Sequence, residues 1–374
     1  MNRRGYLFAT ADPDKAEKFR EAAEEAERLG AGPLRIHDSI DSDYEYSAQQ
    51  MDNFNVPVSG ADLLLGKEVV HRHFPYISEK AIAAIHPRRA GWLSAQQMGM
   101  YMLEQAREHG VRFISGRVEA VETRGGRVVE VEVASKGEAL HIGTPNFVDA
   151  AGPFVGHVAG LLGVELPVFA ELHMKVILND YLGVVPRDAP LLIWSDPQYL
   201  PWSKEEREFF AESEETRWLL EEFPGGVHTR PEGGTESTMI LILWDYKNQV
   251  MDPVPAPPLD PLYAEIAIRG LSAILPGMSA YFERMPKPIL DGGYYVKTRE
   301  NRPLIGPMPV EGSYVIGALS GYGIMASNAA GELLATYIEG GQPPAYAKSF
   351  SLERYQDPEY RKVLKRLEEE SWEL

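Results

Sequence analysis

Cysteine is absent from this chain of 374 residues. Its absence excludes disulfide bonds, thiolate metal sites and a cysteine nucleophile. Long apolar runs are also absent, and residues 1–4 lead into a strand-like segment, so neither a membrane-spanning helix nor a signal peptide is predicted. A cytoplasmic location fits these absences.

Positive charge is scarce. The 37 lysines and arginines are outnumbered by 55 aspartates and glutamates, which gives a formal net charge of -18. A chain this negative repels phosphate backbones and anionic lipid surfaces, so neither nucleic acid nor an acidic membrane is expected as a partner. With 44% hydrophobic residues, a chain of this length can bury a large core, and two domains are expected.

Local patterns predict a mixture of helices and strands. Residues 4–10 have the pattern of a strand, and Asp12 followed by Pro13 predicts the start of a helix that ends at Gly30. Alternating apolar residues between 165 and 290 predict a broad antiparallel or mixed sheet.

Other segments carry further predictions. Residues 31–60 are polar and are expected to form an irregular surface insertion, whose carboxylates leave a metal site as a minor alternative. Helices are predicted for residues 64–74 and for the acidic segment 203–223, and a strand is predicted for 111–114. His173 lies in a predicted strand without a spaced partner, so no metal site is predicted from the histidines.

The C-terminal third holds the most informative run of residues. A short apolar strand over residues 314–316 is predicted to be broken by Gly317, Gly321 and Gly323, and a helix is predicted from Ala326. Free backbone N–H groups at a helix start attract an electron-rich group, because the helix dipole adds to their effect. The alternative is a tight connection without a ligand.

Two sequence patterns carry a family resemblance. G-Y-Y-x-x-T-x-x-x-x-P-x-I-G over residues 293–306, followed by Y-V-I-G-x-x-S-G-Y-G-I over residues 314–324, resembles the C-terminal flavin-contacting segment of the D-amino-acid oxidase family. This family includes glycine oxidase, sarcosine oxidase and dimethylglycine dehydrogenase. Gly-Trp-Leu at 91–93 and Ala-Ala-Gly-Pro at 150–153 are also similar to the family, and the resemblance covers roughly residues 3–355.

The resemblance implies an α/β fold, of mixed α+β character, with two interleaved domains. An FAD/NAD(P)-binding three-layer domain, incomplete at its N-terminus, is expected from residues 81–164 and 291–345. A substrate domain built on a large mixed or antiparallel sheet is expected from residues 1–80 and 165–290. Residues 346–374 are expected to form a C-terminal helical tail.

The resemblance also implies a bound FAD. Some sarcosine oxidases attach flavin through cysteine; this chain has none, so its FAD is expected to be non-covalent, or attached through another residue. Val118 would contact the adenine, or serve only as a core valine, while Ala151 and Gly152 would lie by the pyrophosphate and ribose. The expected cofactor contacts are Val118, Ala151, Gly152, Gly293, Gly321, Tyr322, Gly323, Ile324 and Met325.

The reaction implied by the resemblance is oxidation of a C–N bond, with hydride passing from the α-carbon of a small amine or amino acid to flavin. Backbone N–H groups of residues 321–325 would stabilise negative charge on the reduced ring. Tyr295, Tyr322 and Met325 are the candidate catalytic residues. Tyr322 and Met325 stand where several sarcosine-type members have lysine or histidine, which leaves redox tuning and oxygen reactivity open.

Substrate recognition departs from the family pattern. Tyr295 stands where glycine oxidase-like members clamp a substrate carboxylate with an arginine. A carboxylate would then be bound by tyrosine hydroxyls, Lys297 or Arg302, and Tyr295 is equally well explained as a packed strand residue. An aromatic wall for an amine, or more simply core packing, is expected of Trp92, Trp244 and Tyr246.

One family motif has no counterpart in the sequence. The family opens with a strand, a G-x-G-x-x-G turn and a helix, followed by an acidic residue for the ribose. Three explanations are open: a start codon assigned inside a longer gene, a separate chain that supplies this half, or a remnant that binds something else. The rival function is a non-catalytic or partner-dependent subunit that cannot bind FAD alone. A homo-oligomer is a further alternative.

Overall fold

The structure, a computed structural model, describes residues 1–41, 46–47, 59–247 and 249–369. The described chain has the mixed α/β fold that the sequence predicts. Its two compact units are unit 1, Met1–Ser94 with Met174–Lys247 and Pro258–Gly292, and unit 2, Ala95–His173 with Asn248–Pro257 and Gly293–Leu374. The assignment of flavin-binding and substrate domains to particular residues stays a prediction.

Strands are distributed along most of the described chain. In order they are β1 Tyr6–Thr10, β2 Leu34–His37, β3 Ala61–Leu65, β4 Ala83–Pro87, β5 Arg117–Arg124, β6 Arg127–Ser135, β7 Glu138–Gly143, β8 Phe147–Asp149, β9 Phe169–Asn179, β10 Leu191–Trp194, β11 Val227–Pro231, β12 Met239–Leu243, β13 Gln249–Val250, β14 Ile289–Lys297, β15 Leu304–Pro307 and β16 Ser313–Gly317.

The helices are interspersed among these strands. In order they are α1 Pro13–Arg28, α2 Lys67–His73, α3 Ala95–Glu108, α4 Val155–Gly160, α5 Lys204–Glu212, α6 Glu214–Arg217, α7 Tyr263–Leu271, α8 Gly323–Ile338 and α9 Pro358–Glu369.

A mixed sheet forms the centre of unit 1. Its strands lie in the order β9, β12, β11, β10, β1, β4, β3 and β2, where β9 contributes its residues 174–179. β1 is parallel to β10 and antiparallel to β4, with Phe8 opposite both Ile193 and Ile85. The large mixed sheet is thus confirmed, and the opening strand of the chain belongs to it.

Local sequence explains why a helix follows β1. The Asp12 side chain accepts a hydrogen bond from the backbone N–H of Asp14 at 2.9 Å, and Pro13 occupies the first turn. Ala23 of α1 shares a buried cluster with Leu63 of β3, so the apolar stripe of the helix covers the sheet. The helix predicted from Asp12 is confirmed.

The densest part of the unit 1 core surrounds α7. Every residue of α7 except Glu265 is buried. A Cβ atom at Gly270 would lie 2.1 Å from a ring carbon of Trp244, so only glycine lets this ring pack against the helix. Trp244 is 1% exposed and meets Tyr246 edge to face, and Tyr246 is partly buried against the same core cluster. Core packing, the simpler of the two expectations, therefore describes both residues.

Unit 2 contains two three-stranded sheets. β5, β6 and β7 form an antiparallel meander, and in the second sheet β16 is antiparallel to β15 and parallel to β8. Leu333 and Leu334 of α8 share a buried cluster with Ile305 of β15, so α8 packs on the second sheet. β13 pairs with the first half of β9.

Two predictions near the N-terminus need correction. Residues 34–37 of the predicted irregular insertion form β2, because they pair in parallel with β3. The predicted helix 64–74 starts too early, since residues 61–65 form β3 and Gly66, with φ of +92°, separates it from α2. Residues 42–45 and 48–58 of the predicted insertion lie outside the described residues.

Two further predictions, a strand at 111–114 and a continuous helix at 203–223, are wrong. Residues 111–114 form no strand, since nothing in the described chain pairs with them, and no residue from 95 to 119 is buried. The predicted helix 203–223 is broken at Ser213, whose extended backbone ends α5 and whose side chain caps α6. Strands β7 and β11 were not anticipated from the sequence.

Candidate functional site

Unit 2 contains an open cavity of about 1420 Å³. It brings together the β5 strand, the segment after β8, helix α4, the start of β9 and the segment that follows β13. Its lining residues include Val118, Ala151, Phe154, Phe169, Met251 and Val296. The wall is therefore mainly apolar, as in many sites for flat organic ligands.

Two of the predicted cofactor contacts meet at this cavity. Val118 lies opposite Val133 in the β5–β6 hairpin and lines the cavity while also packing on the core cluster around Val121. Ala151 lines the same cavity from the turn after β8. The core role expected of Val118 and its position beside a cavity are both observed; contact with a cofactor stays a prediction.

An aspartate holds the turn that contains Ala151. The Asp149 side chain is 1% exposed, and its Oδ1 accepts a hydrogen bond from the Ala151 N–H at 3.1 Å. Burial raises the pKa of Asp149 to about 6, against the opposing effect of the Ala151 and Ala159 N–H groups. Its second oxygen, Oδ2, is buried without a hydrogen-bond partner. A buried carboxylate oxygen without a partner lowers stability when it is charged, which is consistent with the raised pKa.

Gly152 follows in a conformation that suits glycine. Its φ is +56°, and a Cβ atom there would meet nothing within 4 Å. Space is therefore open beside the backbone at this point. Gly293 of β14 is similarly open, with no atom within 4 Å of a Cβ position, and neither glycine is among the lining residues of the cavity.

The glycine-rich turn before α8 differs from its prediction in one respect. A 3-10 turn at Ser320–Tyr322 leads into α8, which begins at Gly323 and not at Ala326. The first turn of α8 therefore includes Ile324 and Met325, and Tyr322 at the N-cap makes no side-chain capping bond. The early N–H groups of this helix lack intrahelical acceptors, so they can donate to a ligand.

Backbone strain surrounds this turn. Ala318 and Ser320 adopt φ values of +53° and +50°, a region that costs residues with a Cβ atom about 1 kcal/mol or more. Such strain persists only where the surrounding packing imposes it. The outer side chains of the turn are in water: Tyr322 is 40%, Ile324 43% and Met325 74% exposed.

Tyr295 and Gly321 are in direct contact. A Cβ atom at Gly321 would lie 3.2 Å from Cε2 of the Tyr295 ring. Tyr295 also stacks on His173, with ring centroids 3.8 Å apart and planes inclined by 20°. The predicted catalytic tyrosine therefore lies against the predicted flavin turn.

Lys297, a candidate for binding a carboxylate, is paired with an acidic side chain that also lies beside His173. Lys297 Nζ lies 2.7 Å from Glu171 Oε2, and the same oxygen is 3.4 Å from His173 Nε2. Arg302 is exposed, and its carbonyl oxygen accepts hydrogen bonds from Thr298 and Arg354. Of the alternatives for binding a carboxylate, Lys297 is thus weakened by its acidic partner.

Sequence reasoning assigned no role to Glu171 or His173. The available signal was the alternation in β9, where Glu171, His173 and Lys175 are polar residues two positions apart and therefore share one face. Tyr295 and Lys297 repeat that spacing in β14, which pairs with β9. The pairing of the two strands, which the sequence does not reveal, brings the four side chains together.

The described residues match neither the pattern of a metal site nor that of a membrane-spanning helix. Over the described ranges, no group of three or more His, Asp or Glu side chains could hold a metal ion. The helices of the described chain are all too short or too polar to cross a membrane.

Comparison with known proteins identifies the fold. A search of the curated proteins found no significant match. L-proline dehydrogenase from P. horikoshii superposes with a TM-score of 0.66 at 17% identity, covering 95% of this chain and 77% of its own. Glycine oxidase from Geobacillus kaustophilus gives 0.64 at 13%, covering 94% and 74%. Iminodiacetate oxidase from Chelativorans sp. BNC1 gives 0.64 at 16%, covering 93% and 75%.

These structural likenesses show a shared fold. The sequence itself matches the family described as DAO, FAD dependent oxidoreductase, over residues 1–337. This match confirms the predicted family resemblance. It also confirms the predictions that the protein is an oxidoreductase and that its cofactor is FAD. The chain therefore belongs to the DAO family of FAD-dependent oxidoreductases.

Proposed function

We propose that this protein oxidises the C–N bond of a small amine or amino acid. Three solved structures with this fold are named for proline, glycine and iminodiacetate, compounds that share a carbon–nitrogen bond beside a carboxylate. The observation that carries the proposal is the Tyr295 ring lying against Gly321, because it joins the predicted catalytic residue to the predicted flavin turn.

The residues of unit 2 fit an FAD. The apolar cavity wall at Val118 and Ala151 suits the adenosine part. The remaining proposed contacts would hold the pyrophosphate and the flavin ring: Gly152, Gly293, Gly321, Tyr322, Gly323, Ile324 and Met325.

Bound FAD supplies the acceptor for a hydride from the α-carbon of the substrate. The chain contributes electrostatics and shape. The uncapped N–H groups at the start of α8 would stabilise negative charge, as the donors of an oxyanion hole do. Tyr295 and Tyr322 would orient the amine, and Met325 would cover the site from water. A substrate carboxylate would be bound by the Tyr295 hydroxyl, since Lys297 is already paired.

The test is a flavin-binding and reduction experiment on the purified chain. FAD is added, and binding is followed by quenching of flavin fluorescence. Glycine, L-proline, sarcosine and iminodiacetate are then added separately without oxygen, and at least one should bleach the flavin absorbance. A protein that binds FAD but is reduced by none of these, nor by other amines, would contradict the proposal.

A second candidate function has its own observation. Residues 95–119 contain no buried residue, and among them Tyr101 and Phe113 are 63% and 62% exposed. Exposed apolar surface of this extent is typical of interaction sites. The chain would then be a subunit that takes up FAD only with a partner. A folded protein that stays colourless with excess FAD would favour this candidate.

The remaining finer points are also proposals. The absence of cysteine is what favours a cytoplasmic location. A homo-oligomer is tested by light scattering of the purified chain, where a mass near 41.7 kDa would exclude it.

A further inference from the structure

The contact between β9 and β14 places an imidazole on the back of the proposed catalytic tyrosine. His173 and Tyr295 stack at 3.8 Å with an inclination of 20°, close enough for the two rings to restrain each other. The His173 side chain is 8% exposed. It is therefore shielded from solvent and is suited to act through its neighbour.

The imidazole is itself restrained from its other side. Glu171 Oε2 lies 3.4 Å from His173 Nε2 and 2.7 Å from Lys297 Nζ. Glu171 and Lys297 are 13% and 14% exposed, so this ion pair is partly buried and has little freedom. A buried ion pair with a fixed geometry is a stable support for a third group.

The Tyr295 ring also lies next to the turn before α8. A Cβ atom at Gly321 would be 3.2 Å from Cε2 and 3.8 Å from the hydroxyl oxygen of Tyr295. The flanking residues Ala318 and Ser320 hold strained φ values, which need support from surrounding packing. The order of contacts is therefore Lys297, Glu171, His173, Tyr295 and Gly321.

We infer that His173 is a positioning residue, which holds the Tyr295 ring against Gly321 and thereby fixes the turn that receives the flavin. The inference rests on the proposed function. Stacking by the flat ring is the effective interaction, and the contact with Glu171 sets its orientation. Removing the ring removes the stacking contact that orients Tyr295, and the N–H groups at the start of α8 are then held less firmly in one direction.

Two substitutions at His173 distinguish the contribution of the flat ring from that of its nitrogen atoms. His173→Phe keeps a flat ring on Tyr295 but cannot bond to Glu171, whereas His173→Gln keeps a polar group for Glu171 but has no ring. The control is His141→Gln in β7, an exposed histidine 2.9 Å from Glu130. All three variants are made in the full chain.

The first measurement needs no cofactor. The Gly321 amide lies beside an aromatic ring, so its NMR chemical shift reports the position of Tyr295. The signal is assigned by its loss in Gly321→Ala. His173→Gln should move the Gly321 signal, while His173→Phe and His141→Gln should leave it near its original position.

The second measurement is the dissociation constant for FAD. His173→Gln should weaken FAD binding by roughly two- to tenfold, the range expected from one aromatic stack. His173→Phe should bind within about twofold of the parent. An unmoved Gly321 signal in His173→Gln, or a His173→Phe variant that behaves like His173→Gln, would overturn the inference. If the parent binds no FAD, the proposed function fails and the NMR result still decides the role of His173.

Discussion

Helices α7 and α3 are both rich in apolar residues, yet only α7 is buried. Every residue of α7 except Glu265 is buried, whereas Met100 and Tyr101 of α3 are 54% and 63% exposed. The difference lies in their neighbours, since α7 packs on β11, β12 and the Trp244 ring. Apolar periodicity therefore predicts that a helix forms, while the surrounding chain decides how much stability it contributes.

Ion pairs provide the largest expected contrast between buried and exposed regions. Arg354 and Tyr355 both donate to Glu300 Oε1 at 2.7 Å, and the Arg354 and Glu300 side chains are 2% and 1% exposed. Glu300→Ala leaves a guanidinium buried without its counter-charge. We expect the free energy of unfolding to fall by about 3–5 kcal/mol, measured by urea denaturation.

The matched control lies in the exposed segment. Glu119 pairs with Arg117 at the surface, and Glu119→Ala should change the free energy of unfolding by less than about 1 kcal/mol. Equal losses in the Glu300 and Glu119 variants would show that burial does not distinguish the two pairs.

The two helices can be compared directly. Ile266→Ala in α7 removes a side chain that is 1% exposed and should lower the free energy of unfolding by about 2–5 kcal/mol. Met102→Ala in α3, at 43% exposure, should change it by no more than about 0.5 kcal/mol. Chemical denaturation followed by tryptophan fluorescence measures both. A large loss for Met102→Ala would mean that α3 is packed in solution.

The pH dependence of stability should have opposite signs in the two units. In unit 1, burial and the charge of Arg88 lower the pKa of His86 from 6.5 to about 4. The folded state binds a proton at His86 less readily than the unfolded state does. His86 therefore contributes stability that is present above pH 6.5 and is lost as the pH falls towards 4. In unit 2, burial raises the pKa of Asp149 from 3.8 to about 6. That stability is present below pH 3.8 and is lost as the pH rises through 6.

Each effect is on the order of 3 kcal/mol, since both shifts are near two pKa units. Asp149→Asn should remove the loss of stability that occurs as the pH rises. His86→Asn should remove the loss of stability that occurs as the pH falls. Thermal unfolding between pH 4 and pH 7 measures the change in each variant. Profiles that match the parent would show that neither group titrates as expected.

Substitutions in the exposed segment, residues 95–119, should have the smallest effect on stability. They should nevertheless change dye binding and light scattering of the protein in solution. Phe113→Ser together with Ile114→Ser removes side chains that are 62% and 44% exposed. Binding of a hydrophobic dye and concentration-dependent scattering should both decrease, while the unfolding midpoint stays unchanged. A fall in the midpoint would indicate that these side chains are packed in solution.

Sequence reasoning succeeded where chemistry is local. Asp12 and Pro13 predicted the start of α1, because capping depends on adjacent residues. The glycine-rich turn before α8 was found for the same reason, although the helix begins three residues early.

The failures are cases of long-range pairing. Residues 34–37 become a strand only because β3 lies beside them, and residues 111–114 do not because no described strand does. The stack of His173 on Tyr295 joins positions 122 residues apart, so no local pattern could identify it. The cofactor contacts of Val118 and Ala151 were predicted from family resemblance and not from periodicity, and they stay predictions.

The Glu300–Arg354 pair has a practical consequence for shortening the chain. The highly charged C-terminal residues look expendable, but a stop codon before position 354 would remove the guanidinium that lies on a carboxylate with 1% exposure. The protein would then retain a hidden negative charge with no cation to balance it. A deletion series that shortens the chain only after Tyr360 keeps Arg354 and both tyrosine hydroxyls that donate to Glu300.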